Sequence, residues 1–166
     1  MAITVSDSGD LCSRLGHLGL SIPDGLELVI LPRGADTATT IAALMHESEA
    51  ATLRKLLAAA GLRVHQVEPS ASRLPVAVQK SVDWIAPTLF VTSMLLTQNS
   101  SAVQIALGVI ESYISDYLKG IFPSGRVQLS FVVETSRSKT TKRLVYQGPV
   151  SGIRELARIF RELHDV

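Results

Sequence analysis

The sequence has a single cysteine and almost no net charge. Cys12 on its own excludes an intramolecular disulfide and a cysteine metal cage, and such sparse cysteine usage is typical of a reducing cytosol. A formal net charge of +1 provides no general attraction to nucleic acid or to an acidic membrane. The first ten residues lack the basic start, apolar core and cleavage site of a secretion signal, so we expect a cytoplasmic protein.

Catalytic and metal-binding motifs are also missing. The segment that starts at His46 begins like a zinc metalloprotease helix, but position 50, where the second histidine would stand, is alanine. We therefore interpret His46, Glu47 and Glu49 as a solvated helix face. The four histidines and Cys12 show no ligand spacing, and the chain has no GxSxG serine motif. We predict no catalytic residue, no metal and no cofactor, and we favour a protein that is not an enzyme.

Apolar side chains, by contrast, make up 46% of the chain, and their longest run lies in the middle. No charged residue occurs between Asp83 and Glu111. In the second half of this run, apolar residues recur every three or four positions, which predicts an amphipathic helix from about 101 to 119. The first half is apolar on every side, and its Pro87 suits the first turn of a helix. It predicts a second helix from about 86 to 97, so the two would form a central apolar helical hairpin.

This apolar stretch has two further interpretations. A membrane span needs about 20 mostly apolar residues, whereas this run ends at Leu96, before Gln98, Asn99, Ser100 and Ser101. Polar groups in hydrocarbon are costly unless paired, so a membrane role is the weaker alternative. A buried core or an oligomer interface explains the stretch better. The candidate interface residues are Trp84, Leu89, Phe90, Met94 and Leu95.

The remaining pattern predicts an α/β fold. Residues 1–25 are weakly patterned and are interpreted as an arm that packs on the domain or on a neighbouring subunit, whereas residues 26–166 are predicted to form a single α/β domain. A continuous apolar run from Leu26 predicts a strand buried on both faces, and LRVHQVEP predicts another. The segment between them, from about Asp36 to Gly61, predicts a helix. Strand, helix and strand would form a right-handed βαβ unit with parallel strands.

After Pro123 the apolar period changes to two. Residues 126–148 therefore predict a β-hairpin, and Gly148 with Pro149 ends it before a C-terminal helix that has one buried stripe. Taken together, the elements predict a mixed sheet covered by helices.

The loop after the first core strand is a candidate ligand site. It leads into the predicted helix start, where free backbone amides attract anions. Because parallel strands end at the same edge of a sheet, an arginine from the loop after the second strand can approach this loop and help to hold a carboxylate or phosphate. The loop matches neither GxxxxGK[ST] nor GxGxxG, and a capped helix with exposed arginines is the simpler interpretation. The candidate residues are Arg33, Gly34, Asp36, Thr37, Thr39 and Arg73.

The tip of the predicted hairpin is basic. A β-ribbon with a cationic tip can contact nucleic-acid phosphates. No aromatic residue is interleaved to stack on bases, and soluble hairpins carry such charges as well, so nucleic acid is a less favoured partner. The basic residues are Arg137, Lys139, Lys142 and Arg143.

Three functional classes are compatible with these patterns. We favour an interaction or regulatory module that is not an enzyme and that acts through self-association or a protein partner, because the apolar content exceeds any visible catalytic apparatus. The alternative is a sensor or enzyme that binds a small anion or nucleotide at residues 33–40. A membrane-associated or nucleic-acid-binding accessory protein is the least favoured class.

Overall fold

A computed structural model describes residues 2–69, 72–77, 84–98, 100–118, 126–135 and 140–165. The chain has a mixed α/β fold in which helices pack on a mixed sheet, which confirms the predicted fold class. None of the helices in these ranges is long and apolar enough to cross a membrane.

Seven strands of the described ranges form one sheet. They are β1 (Ala2–Gly9), β2 (Leu28–Leu31), β3 (Val64–Gln66), β4 (Trp84–Ile85), β5 (Thr88–Val91), β6 (Arg126–Glu134) and β7 (Thr141–Pro149). Six of them follow the order β1-β7-β6-β5-β2-β3, and the short β4 pairs with β6. The pairs β2/β3, β5/β6 and β4/β6 are parallel, whereas β1/β7, β6/β7 and β2/β5 are antiparallel.

The described helices cover both faces of this sheet. They are α1 (Leu11–His17), α2 (Ala50–Ala59), α3 (Ser93–Gln98), α4 (Ser100–Leu118) and α5 (Leu156–His164), with 3-10 turns at Ile41–Ala43 and Val150–Glu155. Helix α4 matches the predicted helix closely because its apolar residues, among them Val103, Leu107 and Ile110, form one buried stripe.

Each face of the sheet has its own apolar core. On one face, Leu28, Ile30 and Phe131 pack against α2, α3, α4 and α5, and the rings of Phe131 and Phe160 meet edge to face with centroids 4.9 Å apart. On the other face, Val29 and Leu31 pack against α1 and against the segment that follows β2. The central strands are therefore buried on both sides, as the continuous apolar run from Leu26 predicted for β2.

The predicted helix from about 86 to 97 is wrong over its first half. Thr88–Val91 forms β5, which pairs with both β2 and β6, and α3 begins only at Ser93. A doubly buried strand and a buried helix share the same continuous apolar run, so periodicity alone does not separate them. The central helical hairpin is reduced to the short α3 and the long α4.

This change places most of the candidate interface residues in the interior of the chain. Leu89, Phe90 and Leu95 are only 2%, 1% and 1% exposed. Met94 is half-buried, and the side chain of Trp84 lies outside the described residues. The apolar middle of the chain is thus part of its own core.

The predicted helix from Asp36 is also wrong over its first part, because α2 begins only at Ala50. Residues 34–49 form turns, a 3-10 turn and isolated bridges instead. The physical reason is that Ala35 and Leu44 pack in the core on the α1 face, whereas α2 packs on the opposite face. One straight helix cannot cover both faces, although the predicted parallel pairing of β2 with β3 is confirmed.

The predicted hairpin is confirmed in β6 and β7, where Phe131 lies opposite Leu144. Its tip, with Arg137 and Lys139, lies outside the described residues. Residues 1–25, which were interpreted as an arm, contribute β1 and α1, and β1 pairs with β7 of the same chain.

Candidate functional site

The parallel strands β2 and β3 end at the same edge of the sheet, and a polar cluster is built there. The chain leaves β2 at Arg33, whose N–H donates to the carbonyl of Met45 over 2.7 Å. The N–H of His46 then donates to the carbonyl of Pro75 (2.9 Å), and the carbonyl of His46 accepts from the N–H of Ala77 (2.8 Å). These bonds hold His46 between the end of β2 and the loop that contains residues 72–77.

The imidazole of His46 is fully buried, with 0% exposure of the residue. Its Nε2 lies 2.6 Å from the carbonyl oxygen of Val67 and 3.0 Å from Oε1 of Glu68. Both neighbours of Nε2 are acceptors, so we assign the proton to this nitrogen. Nδ1 then has a lone pair and no hydrogen-bond partner among the described residues. His46 therefore acts as a donor that fixes the end of β3.

Glu68 connects this histidine to the loop. Its Oε2 accepts from the N–H of Leu74 over 2.6 Å, and its Oε1 lies 3.3 Å from Nε2 of Gln66. Because Leu74 follows Arg73 directly, this hydrogen bond to Glu68 also fixes the backbone of Arg73 in space.

Arg33 and Glu47 form a two-pronged ion pair beside this cluster. Nε of Arg33 lies 2.7 Å from Oε1 of Glu47, and Nη2 lies 2.6 Å from Oε2. This geometry is the strongest that the two groups can adopt. The hydrogen bonds to Glu47 raise the pKa of Arg33, against a smaller opposing effect of burial. The guanidinium of Arg33 is therefore already engaged by a carboxylate.

The expected solvated face at residues 46–49 is wrong for its first two members. His46 and Glu47 are buried, at 0% and 6% exposure, and Glu49 is half-buried. The prediction of a solvated face assumed that residues 46–49 are helical, but α2 begins only at Ala50. Partial burial raises the pKa of Glu49, opposed by its hydrogen bond with Ser48.

A cleft of about 400 Å³ opens next to the cluster, between α2, β3 and the loop. Its polar lining consists of two arginines, a histidine, an amide and a carboxylate. The lining residues are Ala51, Arg54, Val64, His65, Gln66, Glu68 and Arg73. The lining has two guanidinium groups and one carboxylate, and that carboxylate already accepts hydrogen bonds from its own chain, so positive charge is in excess there.

His65 contributes a neutral ring to this cleft. Burial is the main cause that lowers its pKa, and the charge of Arg54 acts in the same direction, against the charge of Glu68. A neutral imidazole has one donor and one acceptor nitrogen, so at neutral pH it contributes hydrogen bonds but no charge.

The six predicted ligand residues do not come together in one place. Of these six, only Arg73 lines the cleft. Arg33 is paired with Glu47, and Asp36 accepts from Arg143 over 2.9 Å. Thr39 lines a different cleft beside α1.

Gly34 and Thr37 belong to the turn after β2. Gly34 has a φ of +87°, and a Cβ at this position would lie 3.2 Å from the carbonyl oxygen of Ala43, so the turn requires glycine. Thr37 is exposed. No described α-helix begins at residues 36–40, so the helix start on which this site prediction relied is absent there.

The described members of the basic hairpin tip are paired with acids. Lys142 contacts Asp7 of β1, and Arg143 contacts Asp36 of the turn after β2. Both bonds join strand β7 to other parts of the chain, so these two cations have a structural role.

Four residues of the cleft were not among the predicted ligand residues: Arg54, His65, Gln66 and Glu68. The last three lie at the end of the second predicted strand. Ligands often bind at the carboxyl ends of parallel strands. That strand end is the signal that would have found them. Arg54 carried no such signal, because its place beside the cleft depends on where α2 begins.

Within the ranges that the structure describes, no group of three or more His, Cys, Asp or Glu residues is close enough to bind a metal ion. Comparison with known proteins gives no matching family model, no similar curated protein and no similar solved structure. What the protein does must therefore be inferred from its own side chains.

Proposed function

We propose that the protein is a sensor or binding module for a small carboxylate or phosphate anion, which it holds in the cleft at the end of β3. The observation that carries this proposal is the presence of two arginines, Arg54 and Arg73, beside the neutral His65 in one cleft. Guanidinium groups suit both anions because their donors match two oxygens at once. The single cysteine supports a cytoplasmic location for this function.

The structure around the cleft favours a sensor over a passive binding surface. Arg73 lies in the loop that Glu68 holds through the N–H of Leu74, and the same loop accepts a backbone bond from His46. An anion bound to Arg73 therefore stabilises a loop that is hydrogen-bonded to the segment after β2. Binding would be transmitted to that segment through these bonds.

Thermal unfolding in the presence of inorganic phosphate, and then of a panel of small carboxylates and phosphate esters, tests this proposal. A ligand at 100 times its Kd stabilises the folded state by about 2.7 kcal/mol, which raises Tm by roughly 5 to 10 °C. Arg54→Ala and Arg73→Ala should each reduce this rise strongly.

Lys55→Ala is the matched control, because Lys55 is exposed on the same helix and does not line the cleft. It should leave the rise in Tm unchanged. If both arginine variants respond to every ligand like the wild type, the cleft is not the binding site.

Self-association is a second candidate function, now through β1 rather than the apolar middle of the chain. β1 is eight residues long and lies at the end of the strand order, so its outer edge pairs with no described strand. Edge strands of this kind pair readily with another chain. Val5 of β1 is 44% exposed and adds an apolar contact.

Light scattering over a range of concentrations tests the pairing of β1 with a second copy. The wild type should form a dimer, and Val5→Lys should shift it toward the monomer. A wild-type monomer at the highest concentration contradicts this candidate.

A further inference from the structure

A serine and a histidine meet at the opposite edge of the sheet. Ser93 follows β5, and because β5 runs antiparallel to β2, its end lies far from the cleft beside β3. Oγ of Ser93 lies 2.8 Å from Nε2 of His164, the last residue of α5. The two residues are 71 positions apart in the sequence.

The turn that contains Ser93 is fixed by its neighbour. Thr92 is buried, and its Oγ1 lies 2.8 Å from the carbonyl oxygen of Leu26 and 3.0 Å from that of Glu27. The same oxygen accepts from the N–H of Leu95 over 3.3 Å. Ser93 as a residue is half-buried, and its hydroxyl is positioned by the contact with His164.

The histidine is oriented as a base toward the serine. His164 is 4% exposed, and its Nδ1 lies 3.5 Å from Oδ1 of Asp165. This contact is an electrostatic approach and not a hydrogen bond, and the negative charge near Nδ1 favours the tautomer in which that nitrogen carries the proton. Nε2 then has the lone pair that accepts from the hydroxyl of Ser93. A hydroxyl on Nε2 and an acid near Nδ1 follow each other in the order of a serine nucleophile, its base and an acid, although only the first contact is a hydrogen bond.

We propose that Ser93 is a catalytic nucleophile that accepts the acyl group of a small activated ester, an activity beyond anion binding and independent of the cleft beside β3. Oγ of Ser93 attacks the carbonyl carbon while its proton moves to Nε2 of His164. The bond from the carbonyl carbon to the leaving oxygen then breaks, and the leaving alcohol takes the proton from Nε2. The products are acyl-Ser93 and the free alcohol, and water releases the acid by the same proton path.

Three features restrict the substrate to esters with a good leaving group. The N–H of Ser93 donates to Oε1 of Glu134 over 3.0 Å, so it is not free to stabilise an oxyanion, and the carboxylate opposes the developing negative charge. The side chain of Asp165 is 79% exposed, which weakens its hold on His164. No described residue other than glycine has a positive φ, so Ser93 lacks the strained turn of a nucleophile elbow.

The experiment uses p-nitrophenyl acetate and the intact protein. Wild type should release a burst of p-nitrophenol equivalent to one acetyl group per chain, and peptide mass spectrometry should find that group on Ser93. Ser93→Ala should lose both signals. His164→Gln should slow acylation by about 10² to 10⁴-fold.

Two further variants separate this activity from incidental acetylation. Glu134→Gln keeps an acceptor for the N–H of Ser93 but removes the opposing charge, so it should speed acylation by about tenfold. Ser151→Ala, at an exposed serine on the 3-10 turn before α5, should change nothing. Cys12 is the competing nucleophile, although partial burial and the carboxylates of Glu134 and Asp10 raise its pKa, and a Cys12→Ser background removes it.

The alternative is that the bond between Ser93 and His164 only joins α3 to α5. In that case folded wild type shows no burst, or acetyl groups appear equally in Ser93→Ala, and either result overturns the proposal. Should His164→Gln fail to fold, the Glu134→Gln variant decides, because a purely structural bond predicts no gain in rate.

Discussion

The two buried histidines lie at opposite ends of the central strands, and their neighbours give them different roles. Nε2 of His46 faces two acceptors, a carbonyl and a carboxylate, so this nitrogen must donate. Nε2 of His164 faces a hydroxyl, and the carboxylate lies at its other nitrogen. The comparison teaches that burial alone does not assign a role to a histidine: the partners of each ring nitrogen do.

The largest expected effect concerns the stability contributed by His46. His46→Ala should lower the free energy of unfolding by about 3 kcal/mol, because it removes a buried ring and leaves the carbonyl of Val67 without its donor. Urea denaturation measures the change.

His164→Ala is the comparison variant. It should cost less, about 1 to 2 kcal/mol, because its partners Ser93 and Asp165 are within reach of water. If both variants lose the same free energy of unfolding, His164 stabilises the fold as strongly as His46, which contradicts the expected difference between them.

An intermediate effect is expected for the ion pair beside His46. Arg33→Ala leaves the carboxylate of Glu47 buried without a partner, which should cost about 2 kcal/mol. The cost stays below that of a fully buried pair because the side chain of Arg33 is 51% exposed. The double variant Arg33→Ala with Glu47→Ala should recover part of the loss.

The same variant locates the anion site. Arg33 lies outside the lining of the cleft, so Arg33→Ala should still gain thermal stability from the anion that stabilises the wild type. A loss of that gain would restore the loop after β2 as the binding site.

The smallest effect is the pH dependence that His65 contributes. Its pKa is lowered in the folded state, mainly by burial, so the unfolded chain binds the proton more tightly. Stability from this group is therefore present above the ordinary histidine pKa of about 6.5 and is lost as pH falls toward the lowered value. His65→Gln should flatten the stability profile in this window relative to the wild type. If both profiles have the same slope, burial does not lower the pKa of His65 in the folded state.

Sequence reasoning succeeded where one physical signal determined the structure. The three- to four-residue period predicted α4, and the period of two predicted β6 and β7. The apolar run from Leu26 and the segment LRVHQVEP, with a helix between them, predicted the parallel pair β2 and β3. It failed at β5, because a strand covered on both faces has no period to detect. It also failed at residues 34–49, whose path is set by the need to cover the face opposite α2.

The sites were less predictable than the fold because they depend on distant residues. Arg73 was identified from the shared edge of parallel strands, and it lines the cleft. The burial of His46 depends on Pro75 and Val67, which approach it only in the folded chain. No sequence motif links Ser93 with His164. Only the packing of α5 on α3 brings them together.

The position of β1 has a consequence for how the protein is made. Ala2 pairs with Gln147, so β1 leaves the ribosome long before β7, the strand that it pairs with, has been synthesised. Contacts this distant in sequence slow folding and leave strand edges exposed in partly folded chains. During synthesis both edges of β1 are therefore open, and a chaperone or a neighbouring nascent chain has access to this strand before β7 does.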